Sequence, residues 1–233
     1  MQLFYCPGIR QGATELPHDE AHHCIRVLRK QPGDIINLTD GEGTRYTAII
    51  DSITKTTCVF SVTGFAQIPH PPYQIHIALA PTKNIERMEW FVEKAVEIGI
   101  DRISLITTDH SERPGISLDR LKRKAISAMK QSERASLPMI GEVTPLKKLL
   151  PSLDEQQRFI AHLSIEKPDY LNLLAVPESS YVVLIGPEGG FSTDEITSSE
   201  KFGFLPAKLG EYRLRTETAA LMACSLLHAV NQR

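Results

Sequence analysis

The sequence predicts an α/β protein in two parts, a small N-terminal β-barrel and a mostly parallel sheet with helices on both faces. Three observations carry that reading. Residues 1–68 run as short strand-like segments broken by turn residues. Pro69, Pro71 and Pro72 then forbid helix and discourage a central strand, so residues 69–72 read as a linker. From 73 to 233 strands alternate with helical periods, the pattern of a parallel sheet crossed over by helices.

The barrel's strands are "QLFY", "DIINLTDGEGTRYTAIIDSI" and "TTCVFSVTGFA", with Asp40 to Gly43 as a hairpin loop and Pro32-Gly33-Asp34 as a turn. Beyond the linker, "QIHIALA" is a strand and "NIERMEWFVEKAVEIG" a helix. In that helix Ile85, Met88, Val92, Ala95 and Val96 recur at helical spacing, and Gly99 stands at the C-cap. Strand "RISLITT", helix "LDRLKRKAISAMKQSE", strands "RFIAHL" and "YVVLIG", helix "TDEITSSEKFG", strand "AKLG" and helix "TETAALMACSLLHAVNQ" complete the series.

With 233 residues and 42% hydrophobic content, the chain has enough apolar side chain for two domains of unequal size. Its most apolar stretch, Ala219 to Val230, is interrupted by Cys224, Ser225 and His228 and is too short to span a membrane. The start "MQLFYCPGIRQG" lacks the features of a secretory signal, so a cytoplasmic protein with no membrane partner is expected. Cys6, Cys24, Cys58 and Cys224 form no C-x-x-C pair and read as reduced buried thiols. His18, His22, His23 and Cys24 lack a completing pair, so no metal is expected.

A formal net charge of −2 argues against indiscriminate coating of nucleic acid. Two basic runs stand out locally: Arg26, Arg29 and Lys30, then Arg120, Lys122, Arg123, Lys124, Lys130 and Arg134. A solvated helix face accounts equally well for the second run taken alone. Lys83, Glu89, Lys94 and Glu97 suit surface ion pairs, and Trp90 suits packing.

The chemistry concentrates in "LIGPEGGFSTDE", Leu184 to Glu195. "YVVLIG" is an apolar, β-branched run suited to a central parallel strand, and ligands gather beyond the carboxyl ends of such strands. Pro187 restricts Gly186, while Gly189 and Gly190 permit positive φ and close approach of backbone N–H groups to a ligand. Ser192 and Glu195 are spaced as a capping box. The loop is neither a P-loop nor G-x-G-x-x-G.

A second junction, "LGEYRLRTETAA" from Leu209 to Ala220, has Gly210 as its permissive residue and Thr216 as the expected N-cap. In an extended segment Arg213 and Arg215 share one side and Leu214 faces the other, so one side suits an anion and the other an apolar wall. A pairing of Arg215 with Glu217 is the plainer alternative.

These two motifs, with "KNIERMEWFVEKAVEIGI", "KQSERASLP" and "HHCIRVLRKQPGD", resemble the RsmE family of small-subunit ribosomal RNA uridine-N3 methyltransferases, members of the SPOUT superfamily. The resemblance covers essentially the whole chain. It implies a PUA-like RNA-binding barrel over residues 1–68 and a SPOUT α/β domain with a deep trefoil knot over 73–233, where topology rules alone predict an unthreaded sheet. It implies S-adenosyl-L-methionine held by Leu163 and Ser164, by Gly186, Pro187, Glu188, Gly189 and Gly190, and by Leu209, Gly210, Tyr212, Leu214, Thr218 and Ala219. It also implies a homodimer with the cofactor site near its interface.

The implied reaction moves a methyl group to uracil N3, which must lose its proton. Arg215 or Arg134 beside the uracil oxygens would stabilise the developing charge, and Glu188 is one candidate proton acceptor. Glu188 equally suits a ribose hydroxyl, the cofactor's cation or an arginine neighbour. Arg26, Arg29 and Lys30 on the barrel, with Arg113, Arg120 and Arg123 on the catalytic domain, are the expected contacts to ribosomal RNA in the assembled small subunit. Val96 and the pair Glu211-Tyr212 depart from the family pattern, and Tyr212 alters one wall of the cofactor pocket. The alternatives are a related enzyme acting on transfer RNA or a ribose 2′-hydroxyl, a non-catalytic RNA-binding module, and a nucleotide-binding enzyme with an open sheet.

Overall fold

The computed structural model describes residues 2–112, 116–162 and 169–232. Its contacts separate into two compact units, one formed by residues up to His70 together with Ile126–Leu137 and the other by the remainder.

In the first unit, β1 (Leu3–Tyr5), α1 (His18–His22), β2 (Ile35–Thr39), β3 (Thr44–Ile53) and β4 (Cys58–Gln67) follow one another. The sheet has the order β1-β2-β3-β4, with β1 parallel to β2 and the other neighbours antiparallel. The first residues of β4's outer edge, 58–60, are covered by residues 14–16, through Phe60 N to Thr14 O at 2.8 Å and Leu16 N to Cys58 O at 3.0 Å. Pairing that edge removes a template for aggregation. Asp40 fixes the expected hairpin loop, its Oδ1 accepting from Glu42 N at 2.7 Å and Thr44 N at 3.1 Å. Burial pushes the Asp40 carboxyl up, but these bonds and Arg10, whose Nε donates to Oδ2 at 2.6 Å, hold it below its ordinary value.

Phe4, Ile36, Leu38, Ile50 and Phe60 fill this unit's core together with Cys24 and Cys58. All four cysteines are free and buried, and burial pushes the Cys58 thiol up to about 12. Residues 126–137 join the unit by backbone pairing with the hairpin loop: Leu137 N donates to Gly41 O at 2.8 Å and Gly43 N to Ala135 O at 3.0 Å. Thr39 Oγ1 adds a bond to Ala135 O at 2.7 Å. By contacts, residues 126–137 therefore group with the first unit although they follow the prolines at 69–72 in the chain.

In the second unit come β5 (Gln74–Leu79), α2 (Ile85–Ile98), β6 (Arg102–Thr107), α3 (Leu118–Gln131, its later turns grouped with the first unit), β7 (Met139–Ile140), β8 (Thr144–Pro145) and α4 (Leu146–Leu149). They are followed by β9 (Gln157–Ala161), α5 (Leu171–Leu174), β10 (Ser180–Ile185), α6 (Thr193–Lys201), β11 (Leu205–Ala207) and α7 (Thr216–Val230). The sheet is parallel in the order β11-β9-β10-β5-β6-β7, with β8 also on β6. Tyr181 to Ile185 and Ile75 to Leu79 are buried, as the two central strands of a sheet covered on both faces require.

Helix α2 starts where Asn84 Oδ1 accepts from Glu86 N at 2.8 Å and ends at Gly99, with φ at +127°. Met88, Val92, Ala95 and Val96 form its buried stripe, joined by Phe91, while Ile85 is only partly buried. The last strand begins earlier than "AKLG" suggests, at Leu205, and ends at Ala207. Beyond it the chain runs over the carboxyl ends of β9 and β10 before α7 begins. Among the described residues no helix is long and apolar enough to cross a membrane.

Candidate functional site

At the carboxyl end of β10 the chain turns sharply. Gly190 N donates to Pro187 O at 2.9 Å, and Gly190 takes φ of +72°. A Cβ on Gly186 would lie 3.1 Å from the Phe191 ring, and one on Gly189 would lie 3.1 Å from the Cβ of His110. The loop is thus a glycine-lined cup packed closely from behind.

Its exit is pinned by Glu195. Oε2 accepts from Ser192 N at 2.9 Å, Ser192 Oγ accepts from Glu195 N at 3.3 Å, and Oε1 reaches across to Asp109 N at 2.9 Å. The capping box is therefore present and also ties α6 to the loop after β6. Ser192→Ala is expected to lower unfolding stability by about 1 kcal/mol, read from the urea midpoint. Glu195→Ala is expected to cost more, since it strands two backbone N–H groups.

The second junction closes over this cup. Arg213 Nη2 donates to Glu188 O at 2.7 Å, and Thr216 Oγ1 donates to Gly186 O at 3.1 Å. Thr216 is consequently not the N-cap of α7; Arg215 holds that position, and the threonine hydroxyl serves the loop instead. Between the two segments lies a cavity of about 540 Å³. Gly186, Pro187, Glu188, Gly189 and Gly190 wall one side, and Arg213, Leu214, Arg215, Thr216 and Ala219 the other. A smaller recess of about 130 Å³ continues it past Leu209, Gly210 and Tyr212, sharing Leu214 and Ala219.

The expected division of Arg213 and Arg215 from Leu214 is not what the structure shows, since all three line the larger cavity. Thr218 faces a different cavity, of about 350 Å³, with Trp90, Arg87, Arg215 and Glu217. Leu163, Ser164 and Arg113 lie outside the described residues. Ala161, His162 and Phe191 also wall the site. The ends of the strands pointed toward the first two, but nothing in the residues marked them.

Glu217 does not pair with Arg215. Its Oε1 lies 3.7 Å from Arg87 Nε, and Arg87 Nη1 also reaches Glu188 Oε1 at 3.5 Å. Glu188 is thereby tied to an arginine, one of the roles left open for it. Among the described residues no carboxylate pairs with Arg215, which is exposed. Trp90 is 43% exposed and borders that cavity.

The basic residues are not equally available. Arg120 Nε bonds Glu89 at 2.7 Å and Lys124 bonds Glu93 at 3.0 Å, whereas Arg123 is exposed without a partner among the described residues. Arg26 and Arg29 are exposed, and Lys30 lies 3.9 Å from Asp34. Arg134 falls in the segment that groups with the first unit and is not among the cavity walls of the second. Lys94 pairs with Glu97 at 2.9 Å, the surface pairing its spacing suggested.

A parallel sheet bearing a glycine cup at its carboxyl ends, with a small β unit, marks an α/β enzyme of the SPOUT class with a PUA-like companion. The chain belongs to the RNA methyltransferase family: residues 69–228 match the family profile described as an RNA methyltransferase domain, and residues 16–63 match the RNA methyltransferase PUA domain. The crystal structure of a probable rRNA methyltransferase from Porphyromonas gingivalis is 43% identical and superposes with a TM-score of 0.94 over 100% of this chain and 99% of its own. A ribosomal RNA small subunit methyltransferase E from Neisseria gonorrhoeae, solved bound to S-adenosyl methionine, is 26% identical with a TM-score of 0.85, covering 99% and 98%. The Aquifex aeolicus protein of the same name is 29% identical over 97% of this chain and 99% of its own.

Proposed function

We propose that this protein methylates N3 of a uridine in small-subunit ribosomal RNA, using S-adenosyl-L-methionine, as a cytoplasmic homodimer acting on the assembled particle. The observation that carries this reading is the cup itself. About 540 Å³ falls within the range of pockets for small cofactors. A Cβ at Gly186 or Gly189 would press on Phe191 or His110, so the loop keeps this close-packed shape only with glycine at both positions. The relatives named for the small-subunit enzyme, one of them solved with the same cofactor, support the substrate.

The bound cofactor supplies an electrophilic methyl group on a sulfonium. The chain's part is to orient and to handle charge. Leu209, Gly210 and Leu214 line the recess that suits an adenine edge, and Glu188 faces the cavity with its carbonyl fixed by Arg213. Arg215, uncompensated among the described residues, is placed to favour negative charge developing on a uracil oxygen. Arg26, Arg29 and Arg123 are exposed and pair with no carboxylate among the described residues, which suits them to phosphates.

Purified protein incubated with labelled S-adenosyl-L-methionine and unmodified small subunits is expected to yield N3-methyluridine, identified by mass spectrometry of the digested RNA. A 2′-O-methyl nucleoside, or transfer only to transfer RNA, would overturn the assignment. Arg215→Ala is expected to lower turnover at saturating cofactor by about 100-fold, within the range for loss of one charge-stabilising group.

A further inference from the structure

We propose that the cavity bordered by Arg87, Trp90, Arg215 and Glu217 receives the target uracil, and that Glu217 accepts its N3 proton. This rests on the reading above and names a residue for its proton transfer.

Four observations converge on the cavity. It measures about 350 Å³, enough for a pyrimidine, and it shares Arg215 with the cofactor cavity, so the two spaces adjoin at that residue. Glu217 lines it and is only 6% exposed, yet its Oε2 has no hydrogen-bond partner. An orphaned buried carboxylate oxygen is costly and calls for a donor. Arg87 and Arg215 line the same cavity, so two guanidinium groups accompany the buried Glu217 carboxylate there, with Glu86 as the second carboxylate of the lining.

That set is complementary to uracil in particular. Its edge presents O2, N3–H and O4, an acceptor, a donor and an acceptor; the carboxylate meets the donor and the arginines meet the acceptors. Cytosine carries an unprotonated N3 and an amino group there, which would set acceptor against acceptor and donor against donor. Trp90 supplies an aromatic face for an unstacked base.

The step balances. Glu217 Oε2 takes the proton from N3; the N3 electron pair forms the bond to the methyl carbon; the carbon–sulfur bond breaks and its pair returns to sulfur, leaving S-adenosylhomocysteine. The protonated carboxyl then releases its proton to water. Charged groups facing Glu217 are Arg87 and Glu86 from α2 and Arg215 from the junction, with Glu188 connected through Arg87.

Glu217→Gln tests this with its shape kept. Its affinity for S-adenosylhomocysteine, by calorimetry, is expected to stay within threefold of the native protein, showing an intact fold and cofactor site. Single-turnover methylation of small subunits is expected to fall about 100-fold or more, the span of a general base. The variant's rate is expected to climb with pH where the native rate is level. On subunits reconstituted with 5-fluorouridine RNA, whose N3 proton is more acidic, its deficit is expected to shrink at least tenfold. Trp90 is the chain's single tryptophan, so its fluorescence reads the cavity directly. Millimolar uridine added to the S-adenosylhomocysteine complex is expected to quench it, and cytidine to do so at least tenfold less effectively. A variant within threefold of native rate, an equal deficit on both RNAs, or no preference for uridine overturns the inference while leaving the methyltransferase reading standing. Native protein that transfers nothing to small subunits overturns both.

Discussion

Gly190→Val is expected to weaken S-adenosylhomocysteine binding by about 10- to 100-fold while leaving the thermal transition nearly unchanged. The cause is conformation, since a Cβ at this position meets nothing within 4 Å, whereas φ of +72° is a region that β-branched residues avoid. Holding such a residue there costs about 1–3 kcal/mol, and 1.4 kcal/mol is tenfold in an equilibrium. An exposed loop escapes that strain by adopting another shape, so the cup must be re-formed at binding and the apparent affinity falls by the fraction in the competent shape. Asparagine tolerates left-handed backbone, so Gly190→Asn is expected to bind within threefold of native. Equal losses in the two variants, measured by calorimetry, would show that the side chain and not the backbone decides.

The cup was legible because its residues act locally. A β-branched run, a proline and two glycines specify a buried strand and its break, and Ser192 with Glu195 specify the helix start. The same locality explains what was missed. Thr216 has the chemistry of an N-cap, but its hydroxyl is claimed by Gly186 O, a partner 30 residues away. Arg215 and Glu217 are near neighbours in sequence, yet the carboxylate turns to Arg87 on another helix. The capture of residues 126–137 by the first unit depends on a hairpin loop more than 80 residues earlier in the chain, which no periodicity encodes. The strand order, with β10 inserted between β9 and β5, is likewise a property of the assembled sheet.

His76→Leu is expected to cost about 3–5 kcal/mol of stability, the effect of breaking a buried pair by removing one partner. His76 on β5 is 2% exposed; its Nδ1 lies 2.5 Å from Glu155 Oε1 and its Nε2 2.8 Å from Ser104 Oγ on β6. Burial drives the imidazole's affinity for protons below its ordinary value, against the pull of Glu155, so the ring is held neutral with Nδ1–H donating to the carboxylate. Burial pushes Glu155 the other way, up, but the bond to His76, with Arg102 at 4.0 Å, outweighs it and keeps the carboxyl low. Removing the ring leaves a buried carboxylate with one distant arginine and an Oε2 that already lacks a partner. Both shifts have one sign in their consequence. A chain whose native imidazole titrates below the unfolded value of about 6.5 binds fewer protons folded than unfolded, so stability is full above that pH and falls as acid is added. The low carboxyl of Glu155 adds a second loss further into acid. Urea midpoints of the native protein are therefore expected to drop between pH 7 and 5, and His76→Leu is expected to lose that part of the slope along with its stability. Pairing it with Glu155→Leu removes the stranded charge and is expected to recover most of the loss, because an apolar replacement of both partners avoids the desolvation that the single change exposes. Cofactor affinity is expected to hold within threefold throughout, since the walls of the 540 Å³ cavity, at the ends of β9 and β10 and about the start of α7, include none of these three side chains.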